Sequence, residues 1–437
     1  MMSESDMTRF RILFLLLGLT SCIPARGEDA AAPPLRCWKG NIHTHTLWSD
    51  GNDFPEMIAD WYRSRGYHFL ALSDHNLLSE GMRWMKHDAI VRRGGAEALA
   101  KYQHRFGKHW VETRGNPDSD DFEVRLKPLN EFRALLEQSG KFILIQSEEI
   151  SDRAEGKPVH MNAANLKEAI QPLGGKTVRE AIENNFRAVQ DQADRTGREI
   201  LLHLNHPNFG WAITAEDIAR VVSERFFEVY NGHPGVNHQG DHQHPSVERL
   251  WDIANTIRLR DLQAAPLMGV ATDDSHNYHG RPGSQPGRGW IVVRSRYLTP
   301  QYLIQAIKAG DFYASSGDSL ERSAWHEEKQ ELEITMAGEK GVASRTEMIG
   351  TLAEDHHDDD PDKAELHHHV GEVFSAVDGL NPKYRLAGNE LYVRAVVTAS
   401  RPHPNPSFKG QFEQAWTQPV GWKLAGNDDA AESAAAE

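Results

Sequence analysis

The sequence predicts a mainly parallel α/β fold, a (β/α) barrel carrying a helical insertion and followed by a small β-rich C-terminal domain. Three observations point there. From about residue 37 short β-type runs alternate with helical patterns, the signature of strand–helix units. Residues 79–140 break that rhythm with a long, mostly helical stretch, and after about residue 325 the pattern turns to strand-like alternation. The composition is ordinary for a globular chain of 437 residues, at 39% hydrophobic and 25% charged. With 63 Asp+Glu against 48 Lys+Arg, the net charge of −15 argues against general nucleic-acid binding, because phosphates would be repelled over a broad surface. Two cysteines exclude a disulfide scaffold and a cysteine-rich zinc module, and 23 histidines are the feature to explain.

In chain order, residues 1–21 read as a signal peptide. The apolar run ILFLLLGL at 12–19 is too short to span a bilayer and follows Arg9 and Arg11. Leu19-Thr20-Ser21-Cys22 resembles a bacterial lipobox, which makes Cys22 the expected lipidation site, the anchor to a membrane, and the mark of an exported periplasmic or outer-surface protein. A Sec-type cleavage near Gly27 is the alternative. Residues 22–36, rich in Ala and Pro, form a tether. The catalytic region then spans 37–324. Its expected strands are Gly40–His45, His68–Ser73, Phe142–Ser147, Ile200–Leu204, Phe227–Tyr230, Leu267–Ala271 and Trp290–Val293. Helical spacing links Phe54, Met57, Ile58, Trp61 and Tyr62, and again Val178, Ile182, Phe186 and Val189. Thr214 with Asp217 forms a capping box, and Thr299-Pro300 opens a helix that Gly310 closes. Residues 325–424 form the β-rich domain, within which the acidic, His-rich stretch 354–369 reads as a solvated loop. The Ala/Glu/Asp tail 425–437 reads as disordered.

The informative histidines and acids fall where strands are expected to end, the place where barrel enzymes put their chemistry. His43 and His45, two apart on a strand, share one face, and Asp50 follows on the loop. Asp74 and His75 close the next strand. Glu148 and Glu149 end FILIQSEEIS, and His160 is expected on the following loop. His203 and His206 lie in LLHLNHPN, and Asp274 and His276 in ATDDSHN. Each pair alone is commonplace: a capping Asp, a solvated strand end, a core histidine. Five such pairs in succession, each after an apolar run, point to two or three divalent ions such as Zn, Mn or Fe. Imidazole and carboxylate together suit these metals, and the absence of cysteine fits an open catalytic site.

This ordered series, HxH…SDG, DHN, Glu-Ile, His, HP and DSH, resembles the PHP (polymerase and histidinol phosphatase) superfamily over about residues 38–320. The resemblance implies a distorted (β/α)7 TIM-like barrel with His43, His45, Asp50, His75, Glu149, His160, His206, Asp274 and His276 as metal ligands. Glu149 is implied as the bridging ligand. It also selects Glu149 over Glu148, which does not directly precede Ile150, His206 over His203, which does not precede proline, and Asp274 over Asp273 in Asp-x-His. FYASSGDS at 312–319, followed by a β-rich domain, looks closest to the carbaryl-hydrolase-like branch.

The implied activity is hydrolysis of a small-molecule phosphoester, monoester or diester, by a metal-bridging hydroxide. Asp74 is expected to orient His75 or shuttle a proton beside it, and a capping role for Asp74 is equally open. Asn231, His233, Arg281 and Arg288 are expected to bind substrate, the arginines as a phosphate clamp. A carboxylic or carbamic ester hydrolase using the same metals is the first alternative. A lipid-anchored metal-binding protein with a decayed site is the second. No GxSxG elbow supports a serine route.

Overall fold

The computed structural model describes residues 32–353 and 369–424. The signal run, Cys22, most of the tether, nearly all of the acidic His-rich stretch and the C-terminal tail lie outside the described residues. In the catalytic region, strands β1 (Arg36–Asn41) and β2 (Phe69–Leu72) flank helix α1 (Pro55–Ser64). Residues 79–140 hold β3 (Arg83–Lys86), α2 (His87–Gly94), α3 (Ala98–Phe106), β4 (Thr113–Arg114), β5 (Glu123–Leu126) and α4 (Leu129–Leu136). The three short strands pair antiparallel in the order β3-β5-β4, so the segment read as mostly helical carries a small sheet as well.

Next come β6 (Ile143–Ala154), β7 (Lys157–Ala164), α5 (Val178–Thr196), β8 (Leu201–Leu204), α6 (Ala215–Arg220), β9 (Phe226–Asn231), α7 (Val247–Thr256), β10 (Met268–Thr272), β11 (Trp290–Ser295), α8 (Pro300–Lys308) and β12 (Phe312–Ser315). Local signals set several boundaries. Thr214 and Asp217 form the reciprocal capping box of α6, and Thr299 caps α8 with Pro300 in its first turn. Gly197 ends α5 in the left-handed region that favours glycine.

One sheet runs β10-β9-β8-β7-β6-β2-β1-β11-β12 and continues into the C-terminal strands. Neighbours β1/β2, β2/β6, β8/β9 and β9/β10 are parallel, whereas β7 is antiparallel to both β6 and β8. β7 was not among the expected strands, and it moves His160 from a loop onto a strand. The sheet curls, because inward side chains of β1 (Trp38), β2 (Phe69, Ala71), β6 (Ile145), β8 (Leu201), β9 (Phe226) and β10 (Met268, Val270) meet in one buried cluster. The two ends of this arc approach each other through a single parallel bridge, Thr44 with Ser275. No continuous ladder joins β10 to β1 among the described residues, so the expected closed barrel is seen as a curled mixed sheet. Helices α5, α6 and α7 cover its outer face around Ile182, Val189, Ile218, Phe227 and Trp251.

β13 (Leu320–His326), β14 (Glu331–Met336), β15 (Ser344–Leu352), β16 (Glu372–Asp378), β17 (Lys383–Arg385), β18 (Glu390–Pro402) and β19 (Phe412–Trp416) make up the C-terminal region. β12 pairs with β19, so this region extends the main sheet. Its joint with the catalytic region is a buried apolar layer, with Ile349, Val396 and Trp416 in the same cluster as Trp251, and it encloses a polar group. Arg394 and Tyr392 of β18 both donate to Asp252 of α7, at 2.7–2.8 Å.

Candidate metal centre

Strand geometry delivers the donors to one end of the curled sheet. Beyond β1 the Asn41 carboxamide accepts the His43 N–H at 2.9 Å, and the Thr44–Ser275 bridge fixes the residue between the two histidines. His43 and His45 consequently face the same way, with their Nε2 atoms 3.1 Å apart. His75 follows β2 and bridges in parallel to Glu149 on β6. The β6–β7 hairpin turns at Glu155-Gly156, both at positive φ, which sets Ser151 opposite His160. His160 is thereby a diagonal cross-strand neighbour of Glu149, and its Nδ1 lies 3.0 Å from Glu149 Oε1.

The nine ligands implied by the resemblance all meet here. Glu149 Oε1 also lies 3.6 Å from His43 Nε2 and 3.6 Å from His206 Nε2. Its Oε2 lies 3.3 Å from His45 Nε2 and 2.8 Å from His75 Nδ1. Asp274 Oδ1 faces His43 Nε2 at 3.3 Å and His45 Nε2 at 3.2 Å. On the open side Asp50 reaches His75 at 3.4 Å and His276 at 3.3 Å. Among the described residues four groups of donors are compact enough to hold an ion: His45, Asp50, His75 and His276; His43, His45 and Glu149; Glu149, His160 and His206; and, behind these, His43, His203 and Glu228.

The donor chemistry fits divalent metals. An ion about 2.0–2.2 Å from nitrogen and oxygen ligands places neighbouring ligands roughly 3.0–3.5 Å apart, the spacing seen here. Glu149 Oε2 is buried with imidazole nitrogens of His75 and His45 at 2.8 and 3.3 Å but makes no well-aligned hydrogen bond, a donor arrangement that suits a cation between these groups. Electrostatics agree. Burial opposes charge on Glu149 and Asp274, yet the surrounding imidazoles hold both well below the usual carboxylate range. Burial likewise opposes charge on His43, but Asp274, Glu228 and Glu149 outweigh it and raise its pKa well above the ordinary value. His75 rises to about 11 beside Glu149 and Asp50, against its own desolvation. Burial and the neighbouring His276 push His45 down to about 4.

The rejected member of each adjacent pair does something else. Glu148 points to the opposite face of β6 and accepts the Ile170 N–H. Asp273 accepts from Tyr62 Oη and from the backbone of Gly287, Arg288 and Gly289. His203 is fully buried behind the centre, 3.6 Å from Glu228.

Three expectations need correcting, and Asp74 takes the structural one of its two expected roles. Asp74 neither orients the His75 ring nor faces the donors. Its carboxylate accepts from Thr46 N, Thr46 Oγ1, Ser49 N and Ser49 Oγ, locking the loop that leads to Asp50. Arg281 donates to the Arg92 and Arg93 carbonyls at the end of α2, which uses it to hold the insertion. Arg288 is buried, donating to Gly232 O, Gly283 O and Asn405, so its guanidinium ties loops together and no phosphate clamp forms from this pair. Asn231 is buried between Glu228 and Asp274, to which it donates at 2.7 and 3.2 Å, so its amide is engaged within the centre. His233 does stand at the mouth, its ring centroid 5.9 Å from that of His276.

Sequence reading missed three residues that hold ligands in place. Glu228, on β9, accepts from His43 Nδ1 at 2.7 Å. Asn205 donates to Glu149 Oε1 at 2.8 Å, and Ser151 Oγ lies 2.5 Å from His75 Nδ1. Only Glu228 left a signal, as a lone acid inside the apolar run FFEVYN.

No family model matches the chain, and no curated protein does. Among solved structures, similarity is found to a two-domain protein containing a predicted PHP-like metal-dependent phosphoesterase from Bacteroides vulgatus ATCC 8482. That match is 14% identical with a TM-score of 0.37, covering 90% of this chain and 98% of that one. PsfC from Pseudomonas syringae PB-5123 is 10% identical with a TM-score of 0.33, covering 62% of this chain and 88% of that one. The structural likeness is weak in both cases despite the coverage, and the character of the centre rests on its own donors.

Proposed function

We propose that this protein is a metal-dependent hydrolase of PHP type, with the centre built on a distorted (β/α)7 barrel, acting on a small-molecule phosphoester. The observation that carries the reading is the position of Glu149. Its two oxygens lie within 3.6 Å of nitrogens from His43, His45, His75, His160 and His206, which suits a carboxylate shared between ions. Two or three divalent ions would be held, by His43, His45, Glu149 and Asp274, by Glu149, His160 and His206, and by Asp50 with His45, His75 and His276. Bound there, zinc, manganese or iron supplies acidified water and positive charge against the phosphoryl oxygens.

The chain's own groups do the positioning. Asp50, the most exposed donor, marks the side from which a substrate arrives. His233 accepts the Gly235 N–H on Nδ1, so in its neutral form the proton sits on Nε2. Burial lowers its pKa, which keeps it neutral and able to donate a hydrogen bond to a substrate oxygen at the mouth. The Phe209 ring, 5.2 Å from His206 and 5.7 Å from His233, supplies an apolar wall for the leaving group.

Elemental analysis of purified protein, followed by assay on p-nitrophenyl phosphate, bis-p-nitrophenyl phosphate and 1-naphthyl N-methylcarbamate with each metal restored, tests this directly. Turnover of either phosphate ester is expected, and turnover of the carbamate alone would replace the phosphoesterase by the carbamic ester hydrolase. Lipidation at Cys22 would hold the enzyme outside the cytoplasmic membrane, and a Cys22→Ala variant that still partitions with membranes would remove that assignment.

A further inference from the structure

Glu228 lies in the middle of β9 with every residue of the strand buried, on the inward side of the curled sheet. A carboxylate there is destabilising unless its oxygens are fully engaged. Four groups from four strand ends engage them. Oε1 accepts from His43 Nδ1 at 2.7 Å and Thr272 Oγ1 at 2.6 Å. Oε2 accepts from the His206 backbone N–H at 2.8 Å and from Asn231 Nδ2 at 2.7 Å. The consequences reach three of the nine donors. Donation from Nδ1 leaves His43 with Nε2 facing His45, Glu149 and Asp274. His206 sits at φ 23°, a sparsely populated conformation for a non-glycine residue, and its N–H is fixed by Glu228. Asn231 spans from Glu228 to Asp274 Oδ2.

We infer that Glu228 is the positioning residue of the centre: a carboxylate behind His43 that sets the tautomer and aim of that ligand and, through His206 and Asn231, the placement of two more. This rests on the metal-centre reading above. Carboxylate–histidine–metal pairs fix ring orientation, and their loss weakens metal binding by about 10–100-fold. Glu228→Gln keeps the volume but removes the charge. It also forces an NH2 against donors, either His43 and Thr272 on one side or His206 and Asn231 on the other.

The test compares full-length wild type and Glu228→Gln by chelator competition for zinc and for manganese, with 15N NMR of the zinc-loaded protein to locate the His43 proton. The expected result is a 10–100-fold loss of affinity in the variant, with the proton on Nδ1 of His43 in the wild type. Thr272→Val, which deletes one hydrogen bond to the same oxygen, is expected to lose affinity about severalfold. It carries the test should Glu228→Gln not fold. Wild-type affinity in a folded Glu228→Gln protein, or in Thr272→Val if that is the variant that folds, overturns the role of Glu228 and leaves the centre standing. A His43 proton on Nε2 overturns it as well. A wild type that binds neither metal overturns both readings.

Discussion

His43, His45, Glu149, His206 and Asp274 have side chains no more than 8% exposed, whereas His276, His160, His75 and Asp50 retain 19, 20, 29 and 53%. The buried half hangs on strand ends and is tied to a further layer of buried acceptors and donors in Glu228, Asn205 and Asn231. The open half includes two loop residues, Asp50 and His276, which touch each other at 3.3 Å across the mouth. The difference separates two tasks. Rigid, desolvated ligands fix geometry, and exposed ones leave room for exchange and for substrate.

That contrast can be broken at its shared point first. Glu149→Ala removes the carboxylate common to both halves and is expected to abolish binding of more than one ion. Hydrolysis should fall by at least about a thousandfold. Metal content per chain and kcat on the active phosphate ester check it, and loss of a single ion would show that Glu149 is not shared. Asp50→Asn should act on the open half alone, cutting turnover by about a hundredfold while the buried donors keep their metal. Equal loss of all bound metal would mean that the halves are one cooperative unit.

A third measurement uses pH. His75, raised to about 11, and His43, raised well above 6.5, carry protons in the metal-free protein at neutral pH. Binding through their nitrogens must release those protons, so affinity should rise with pH, by about tenfold per unit for each proton displaced. Calorimetry in buffers of different ionisation enthalpy counts the protons, and pH-independent affinity would show that neither residue is a ligand. The same raised values stabilise the metal-free fold below pH 6.5, a contribution lost as pH climbs towards about 11 for His75. The smallest effect is expected from Arg281→Ala, with KM unchanged within about twofold because its guanidinium already serves α2. A tenfold rise in KM would return Arg281 to the substrate.

Much of the centre was legible because strand periodicity is strict. Alternation puts His43 and His45 on one face and sends Glu148 and Glu149 to opposite faces, whereas the choice of Glu149, His206 and Asp274 within their pairs came from the family resemblance. β7 was harder to see: Val159-His160-Met161-Asn162-Ala163 does alternate apolar and polar, but the run is short and opens on Lys-Pro, which disfavours a strand interior. The arginines misled for a different reason. A guanidinium in a glycine-rich loop offers donors to whatever carbonyls lie nearby, and besides Gly283 in the same loop those of Gly232 and Asn405 come from distant parts of the chain.

The sequence by itself determined that the protein is α/β and that six histidines and three carboxylates lie on or just beyond its expected strands. These follow from local period and residue chemistry. Only the tertiary structure decided that the sheet curls without a continuous ladder between β10 and β1. It alone showed that Asp74 and Arg288 brace loops, and that a buried Glu228 stands behind His43. Those facts depend on which backbone and side-chain groups of separate elements meet in space, from Asp74 with Thr46 and Ser49 to Glu228 with His43, and no local pattern encodes that pairing.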